Sequence, residues 1–384
     1  MTDLANNENE LIEDEAEKDD VTLFDTQPSN LPYFGADFDV AGLVRRLNDE
    51  DILIPRFDPD ESEDLSIEGF QRQRVWTPPR AERFIESLLL GWPVPSIFLV
   101  VEPDGRYLVL DGQQRLTTLQ SFYSGSYPDG KPFVLNDVAE HLRSATYETL
   151  SKESRRRLNN TFIQAVVIEP AGEDGRDSVY RLFGRLNSGG VSLTTQEIRV
   201  ALYRGPMVDF VRELNHDENW RKLFGAAHKK LKDHEFILRS LAMAKVLSEM
   251  NENWDNDQFR LSAYKPPMAQ FLNNYLEKQS NFDELDDVAT AAAFSASCEL
   301  LVSALGADGL KFAGRLNAAH IDALLGTLIF SNLSDCRLTT EQLTSAIDSL
   351  RHNQQYIEFV SKSTSHRDSV YGRLQLASRA ILGA

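Results

Sequence analysis

The chain has 384 residues, of which 42% are hydrophobic and 26% charged, and its formal net charge is −19. These values are ordinary for a globular protein and exclude a wholly disordered chain. A chain of this length can bury a sizeable core and usually forms two domains.

The beginning of the chain carries half of the acidic excess. Residues 1–30 contain ten acidic residues and one lysine, which gives them a formal charge of −9 and leaves −10 for the rest. Such a run is typical of a solvated, disordered segment, and the second interpretation is an interaction or autoinhibitory arm that mimics nucleic acid. We therefore predict a disordered acidic tail at residues 1–32. Net charge neither supports nor excludes a DNA partner.

Cysteine content and the N-terminus bear on the compartment. Cys298 and Cys336 are the two cysteines and form no CxxC pair, so cysteine alone builds neither a disulfide framework nor a thiolate zinc site. The N-terminus lacks a basic region followed by an apolar one, and no run approaches the roughly 18 apolar residues of a membrane span. We expect a cytoplasmic protein with no membrane partner.

Helices and strands alternate in the first part of the chain. Apolar spacing predicts helices at 40–47 and from Pro78 to Gly91, with a short strand at 52–54 between them. The apolar runs at 97–101 and 107–110 are joined by a Pro-Asp-Gly turn and predict a β-hairpin.

The second strand of this hairpin runs directly into a helical pattern, and further elements follow. We predict a strand at 162–168, a helix through 179–186 and a sharp turn at 187–190. Thr194 stands three residues before Glu197, which is the capping-box signature of the next helix.

Beyond about residue 205, every periodic stretch predicts a helix and none predicts a strand. The predicted helices are at 206–215, 234–250, 266–277, 287–305, 318–332, 340–361 and 366–382. The predicted fold class is therefore α+β, with an α+β domain at 33–204 followed by an all-helical domain at 205–384.

The junction Asp111-Gly112-Gln113-Gln114-Arg115 lies between an apolar strand and a helix. Gly112 permits a tight turn and close approach of a ligand, and a helix N-terminus offers unpaired N–H groups to an anion. Arg115 adds a fork of donors suited to phosphate. The glutamines can donate to phosphate oxygens or position a water, and Asp111 can hold a metal or orient the arginine.

A purely structural interpretation of the same residues is available. Asp111 would cap the helix, and Arg115 would pair with Asp111. The residues alone favour the phosphate site and the structural interpretation equally, because a strand, a turn and a helix with one arginine occur in many proteins that bind no phosphate.

Three blocks of the sequence resemble one known family. The string LVLDGQQRLTTLQSFYSG at 108–125 is similar to the signature of the GmrSD-type restriction endonuclease N-terminal domain family, which is related to the ParB and sulfiredoxin-like fold. IEGFQRQRVWTPPRAERFIESLLLGWPVPSIFL at 67–99 and VYRLFGRLNSGGVSLTTQEIRVALYRG at 179–205 match it in the same order. The resemblance covers roughly residues 33–205 and implies a ParB/sulfiredoxin-like fold for that domain.

The resemblance implies a nucleotide-binding pocket, often with hydrolysis of a nucleoside triphosphate. Proteins of this family serve prokaryotic restriction and anti-phage defence against foreign or modified DNA. The implied cofactors are a nucleoside triphosphate and Mg²⁺. The implied candidate partners are the nucleotide, DNA and a separate nuclease subunit.

The resemblance also implies roles for individual residues. As catalytic residues it indicates Asp111, Gln114 and Arg115. The remaining residues assigned to nucleotide binding, together with Arg115, are Gln71, Arg72, Arg74, Gly112, Gln113, Thr117, Arg185, Asn187 and Gly189.

Several of these residues have a structural alternative. Arg72 and Arg74 can be ordinary surface arginines, and the neighbouring Trp76 is more typical of a core than of a base-stacking platform. Asn187 with Gly189 can be a turn alone.

No nuclease site is recognisable in the sequence. Seven histidines are scattered along the chain, at 141, 216, 228, 234, 320, 352 and 366. None lies in the array of an HNH-type metal site, in which histidines hold a divalent ion and activate water. We therefore predict no protein-bound metal site and no nuclease activity. Because no residue is an unmistakable catalytic base, the alternative function is a DNA- or protein-binding module that responds to nucleotide without hydrolysing it.

Overall fold

The computed structural model describes most of the chain, which divides into two units. The described residues are 31–55, 76–172, 175–186, 193–252, 263–280, 282, 285–334 and 336–383. The first unit spans Pro28–Thr194 and the second contains Thr195–Ala384. The units therefore divide ten residues before the boundary that we placed after residue 204.

The first unit contains a mixed five-stranded sheet of order β1-β5-β3-β4-β2. Its strands are β1 (Tyr33–Asp39), β2 (Ile52–Leu53), β3 (Ile97–Val101), β4 (Tyr107–Asp111) and β5 (Phe162–Ile168). β5 is antiparallel to β1 and parallel to β3. β4 is antiparallel to β3 and parallel to β2. This sheet and the helices around it confirm the predicted α+β class.

Five helices belong to this unit. They are α1 (Val40–Asn48), α2 (Pro78–Leu90), α3 (Gln113–Ser124), α4 (Lys152–Asn159) and α5 (Gly175–Leu186). Apolar side chains of α1 to α4 form one core with alternate residues of the central strands, including Ile97, Val109 and Ala165. α5 contacts β4, whose Leu108 and Leu110 are also buried. β4 is thus packed along its length, which fixes the position of its last residue.

Two elements of the first unit were not predicted. β1 has the sequence YFGADFD, in which one glycine and two aspartates lower the β propensity. α4 has the sequence KESRRRLN, with Leu158 as its one buried residue, so no apolar stripe indicates it.

The second unit is almost wholly helical. Its helices are α6 (Thr195–Leu202), α7 (Pro206–Leu214), α8 (Glu218–Phe224), α9 (Lys232–Glu252), α10 (Met268–Lys278), α11 (Asp287–Leu305), α12 (Ala318–Leu333), α13 (Thr340–His352), α14 (Gln354–Ser361) and α15 (Arg367–Leu382). The helix predicted at 340–361 is two helices, because the Asn353 side chain accepts from the Tyr356 amide and starts a new one.

The prediction of no strand beyond residue 205 is wrong. β6 (Lys311–Phe312) and β7 (Arg315–Leu316) form a short antiparallel hairpin. The two residues between them, Ala313 and Gly314, have φ values of 50° and 81°. Positive φ at both central residues is typical of the tight turns that join hairpin strands.

Within the described residues, one helical stretch, Asp287–Asp308, is long and apolar enough to cross a membrane by length and composition. Its buried side chains recur on one face, at Thr290, Ala293, Phe294, Ser297, Cys298 and Leu301. α11 packs through this stretch against α8 and α12, as a core helix does. The absence of a membrane partner stays a prediction.

A charge network is buried in the second unit. Arg239 of α9 donates from Nε and Nη2 to the two carboxylate oxygens of Asp322 at 2.9 Å each. Arg373 of α15 donates from Nη2 to Oδ2 of the same carboxylate at 2.8 Å, and from Nη1 to the Thr364 carbonyl. All three charged side chains are at most 1% exposed. The network therefore joins α9, α12 and α15 through one aspartate.

His320 predicts a pH dependence of stability. Its ring lies fully buried with Nδ1 2.8 Å from the Tyr356 hydroxyl, and burial lowers the pKa of His320 to about 3. The unfolded chain protonates this histidine below about pH 6.5 while the folded chain does not. The stabilising contribution is thus complete above pH 6.5 and is lost progressively as the pH falls toward 3.

Urea unfolding at pH 7.5 and pH 5.0 measures this contribution. Between the two values, the stability advantage of the protein over a His320→Gln variant should shrink by about 2 kcal/mol, at roughly 1.4 kcal/mol per pH unit below 6.5. His352→Gln is the control, because the His352 side chain is 78% exposed. A difference between protein and variant that does not change with pH would contradict the prediction.

Candidate functional site

The junction is built where β4 ends and α3 begins. Phe98 of β3 pairs with Asp111 while Leu99 pairs with Val109, so the ladder is irregular at Leu110. A β-bulge of this kind redirects the side chains beside it and is frequent next to functional sites. It places Asp111 at the sheet edge with its side chain 46% exposed.

Gly112 makes the turn into the helix. Its φ is 98°, a left-handed conformation that side chains rarely adopt. A Cβ on this residue would lie 2.5 Å from Cγ2 of Ile97. The first intrahelical bond runs from the Leu116 amide to the Gly112 carbonyl, and Gly112 has no side chain to cap the helix. The amides of residues 113–115 are thus the free N–H groups of a helix N-terminus.

Arg115 is held in place by two acceptors. Its Nη2 donates to Oδ2 of Asp111 at 2.8 Å and to the Ser96 carbonyl at 3.1 Å. The side chain is 12% exposed. Nε is buried, and neither Nε nor Nη1 is bonded to any residue that the structure describes. The pair expected by the purely structural interpretation forms, and it leaves part of the guanidinium for another acceptor.

Gln114 connects the helix to the preceding block. Its Oε1 accepts from the Trp76 amide at 2.7 Å. The Trp76 ring is half-buried against the core, 5.5 Å edge-on from Phe84, and the Arg80 guanidinium lies 4.8 Å from its centre. The packing of Trp76 confirms the core interpretation of this residue. It also fixes where the chain enters α2.

The other polar residues in the first two turns of α3 differ in solvent exposure. Gln113 and Thr117 are partly exposed, whereas Thr118 is buried. No hydrogen bond joins the side chain of Gln113 or Thr117 to a described residue. Both side chains are thus available at the surface of α3.

The three sequence blocks that surround this junction match one family model. The family is described as GmrSD restriction endonuclease, N-terminal domain, and it matches residues 57–204. Residues 57–204 are a GmrSD N-terminal domain. This membership indicates a role in a restriction or defence system. No curated protein and no solved structure matches the chain.

The limits of the GmrSD domain differ from those of the first structural unit. β1, α1 and β2 precede residue 57, yet β1 pairs with β5 along seven residues. At the other end, α6 lies inside the match but belongs to the helical unit. There Arg199 is buried and donates to Asn273 of α10 and to Gln196.

Part of the predicted site lies outside the described residues of the GmrSD domain. This applies to Gln71, Arg72, Arg74, Asn187 and Gly189. Their assignment to nucleotide binding stays a prediction. Arg185 is exposed in the last turn of α5.

The structure adds two residues of the GmrSD domain that sequence reasoning missed. The Ser96 carbonyl accepts from Arg115, and Ile97 packs against Gly112. The sequence did indicate that Ser96 and Ile97 lie near the junction, because antiparallel pairing of the predicted hairpin strands places the start of β3 opposite the end of β4. A backbone carbonyl carries no mark of its role in the sequence.

Among the described residues, no group of three or more His, Cys, Asp or Glu side chains could hold a metal ion. Asp111 alone offers a carboxylate at the junction. Its Oδ2 accepts from Arg115 and its Oδ1 is bonded to no described residue. One carboxylate with an accessible oxygen fits Mg²⁺, which keeps several waters and takes its other ligands from substrate phosphates.

Proposed function

We propose that the β4–α3 junction binds the phosphates of a nucleoside triphosphate, and that the protein is a nucleotide-hydrolysing regulator of a prokaryotic restriction or anti-phage defence system. The arrangement of Arg115 carries the proposal. Its guanidinium is fixed by Asp111 and Ser96, yet Nε and Nη1 are bonded to no described residue. Its own amide is one of the free N–H groups at the N-terminus of α3.

These groups match a phosphate chain in charge and geometry. The backbone amides after Gly112 would donate to one phosphate, and the absence of a Cβ lets the ligand approach them. Arg115 would donate to a second phosphate from Nη1, which carries two hydrogens. Gln113 and Thr117 would contribute neutral donors from the same face of α3.

The groups for hydrolysis follow from the same geometry. Mg²⁺, when bound, would neutralise phosphate charge, with Asp111 as its protein ligand. Gln114 would position the attacking water through its amide nitrogen, because its oxygen is occupied by the Trp76 amide. Phosphoryl transfer depends on such positioning and charge stabilisation more than on covalent chemistry.

We further infer that the first unit has the ParB/sulfiredoxin-like fold and that the protein works in the cytoplasm with DNA and a separate nuclease subunit. The mixed sheet, with a glycine turn between a strand and a helix, supports the fold assignment. The GmrSD membership supports the partners.

The test compares the protein with an Arg115→Ala variant. Nucleotide affinity measured by calorimetry should fall about 10- to 100-fold, since hydrogen bonds to a charged group contribute about 1.5–3 kcal/mol. Phosphate release in the presence of Mg²⁺ should be lost. Arg83→Ala is the matched control, because Arg83 is 66% exposed and pairs with Asp137 at the surface of α2.

The outcomes separate the two candidate functions. Equal nucleotide affinity of the protein and the Arg115→Ala variant would contradict the proposed phosphate site. Binding that is lost in the variant, with no phosphate release by the protein itself, would favour the non-hydrolysing module. In that case nucleotide would act by shifting the population between two conformations.

A further inference from the structure

α4 carries a basic surface on an acidic protein. Its eight residues include Lys152, Arg155, Arg156 and Arg157 against Glu153, while the whole chain has a net charge of −19. Lys152 and Arg156 are four residues apart and therefore share one face of the helix. The local charge is thus opposite to that of the protein.

The basic side chains of α4 differ in what they contact. Arg155 is used within the fold, because it donates to the Glu148 carbonyl and lies 5.2 Å from the centre of the Tyr147 ring. The side chains of Arg156 and Lys152 are exposed and form no hydrogen bond or ion pair with a described residue. Arg157 is exposed and makes one long contact, of 3.4 Å, with the Leu89 carbonyl. Three cations of α4 are therefore available at the surface.

An exposed tryptophan follows the turn of α2 that Arg157 contacts. Trp92 is 60% exposed and follows Gly91, the left-handed residue that ends α2. Its amide donates to the Ser87 carbonyl at 2.9 Å, which fixes its backbone on the last turn of α2. The contact between Arg157 and Leu89 brings α4 to that same turn. Arg157 and the exposed Trp92 are therefore both attached to the last turn of α2.

We propose that Trp92, Lys152, Arg156 and Arg157 form a surface that binds single-stranded nucleic acid. The cations contact successive phosphates, and a base stacks on the indole ring of Trp92. The proposal goes beyond the nucleotide site, and it locates the DNA contact inferred for the protein on α4 and the end of α2.

The side chains favour nucleic acid over an acidic protein segment. Both ligands would satisfy the charge, but an acidic peptide gives no reason for an exposed aromatic ring next to the turn that Arg157 contacts. Stacking on an aromatic ring with cationic groups at its side is the usual means of holding unpaired bases. Duplex DNA keeps its bases paired and presents no face to Trp92.

Fluorescence anisotropy of a labelled 20-nucleotide oligothymidylate with the full chain tests the surface. An R156Q/R157Q variant should bind about tenfold more weakly, and its affinity should depend less on salt, with a slope smaller by about 1.4 because roughly 0.7 is lost per single-strand phosphate contact. K229Q/K230Q removes the same charge from exposed lysines of the helical unit and should bind like the unmodified protein. Equal losses in the two variants would overturn the proposal.

A Trp92→Ala variant tests the aromatic part. Affinity should fall at least about fivefold, because stacking of one base on an aromatic side chain contributes about 1–3 kcal/mol. Unchanged affinity, or stronger competition by duplex DNA or polyglutamate than by unlabelled oligothymidylate, would overturn single-stranded nucleic acid as the ligand. Arg115→Ala should retain oligonucleotide binding, so failure of the nucleotide site and failure of this surface remain distinguishable.

Discussion

Replacing Asp322 with asparagine should lower the free energy of unfolding by about 3–5 kcal/mol, which is typical when one partner of a buried ion pair is removed. The carboxylate accepts two hydrogen bonds from Arg239 and one from Arg373. Asparagine keeps the shape but has no charge and turns an acceptor into a donor. Arg373 would then be buried without the counter-charge of Asp322, while Arg239 would keep Glu235, whose Oε1 lies 3.6 Å from its Nη1.

Urea unfolding monitored by circular dichroism measures the effect. Asp348→Asn is the control, because Asp348 lies on the surface of α13 with its side chain 72% exposed and should change stability by less than about 0.5 kcal/mol. A loss below about 1 kcal/mol for Asp322→Asn would show that the network contributes little. Far-UV spectra of the folded variants report whether α9, α12 and α15 keep their helical content.

The second large effect is expected at Gly112. Gly112→Ala should lower the free energy of unfolding by about 2–5 kcal/mol, from about 1–2 for the left-handed backbone and about 1–3 for overpacking. The overpacking arises because the new Cβ would lie 2.5 Å from Cγ2 of Ile97. Nucleotide binding should be lost as well, since relief of this clash displaces the turn that presents the helix amides.

Gly125→Ala, at the other end of the same helix, separates the two contributions. Gly125 has a φ of 82°, and no atom lies within 4 Å of the position of its Cβ. Gly125→Ala should therefore lower the free energy of unfolding by about 1–2 kcal/mol, the cost of a left-handed alanine alone, and should leave nucleotide binding intact. Equal stability losses at the two glycines would mean that Ile97 moves aside without cost.

The local geometry of the junction could be predicted from the sequence, because Gly112 determines the turn between the strand and the helix. An apolar strand, a glycine and a helical pattern in direct succession allow few arrangements, and the strand, turn and helix form as expected. The hairpin that contains this strand and the strand at 162–168 could also be predicted, because apolar runs indicate the strands and turn residues indicate the hairpin turn.

Other features depend on contacts that local patterns do not show. Arg239 and Asp322 are 83 residues apart, and each stands in an ordinary helical pattern. The break at Asn353 was missed because the apolar spacing continues through it, from Leu350 to Ile357 and Val360. The Ser96 carbonyl joins the site through the backbone. These features require knowledge of which segments meet.

The seven pairs between β1 and β5 have a consequence for how the domain is delimited. The segment that recurs across the family begins at residue 57, so it omits β1 and would leave one edge of β5 unpaired. An unpaired edge of seven residues is a template for association with other strands. The family match thus begins after β1, although the sheet needs β1 to cover the edge of β5. A fragment cut at the family boundary should self-associate where one that begins before residue 33 does not.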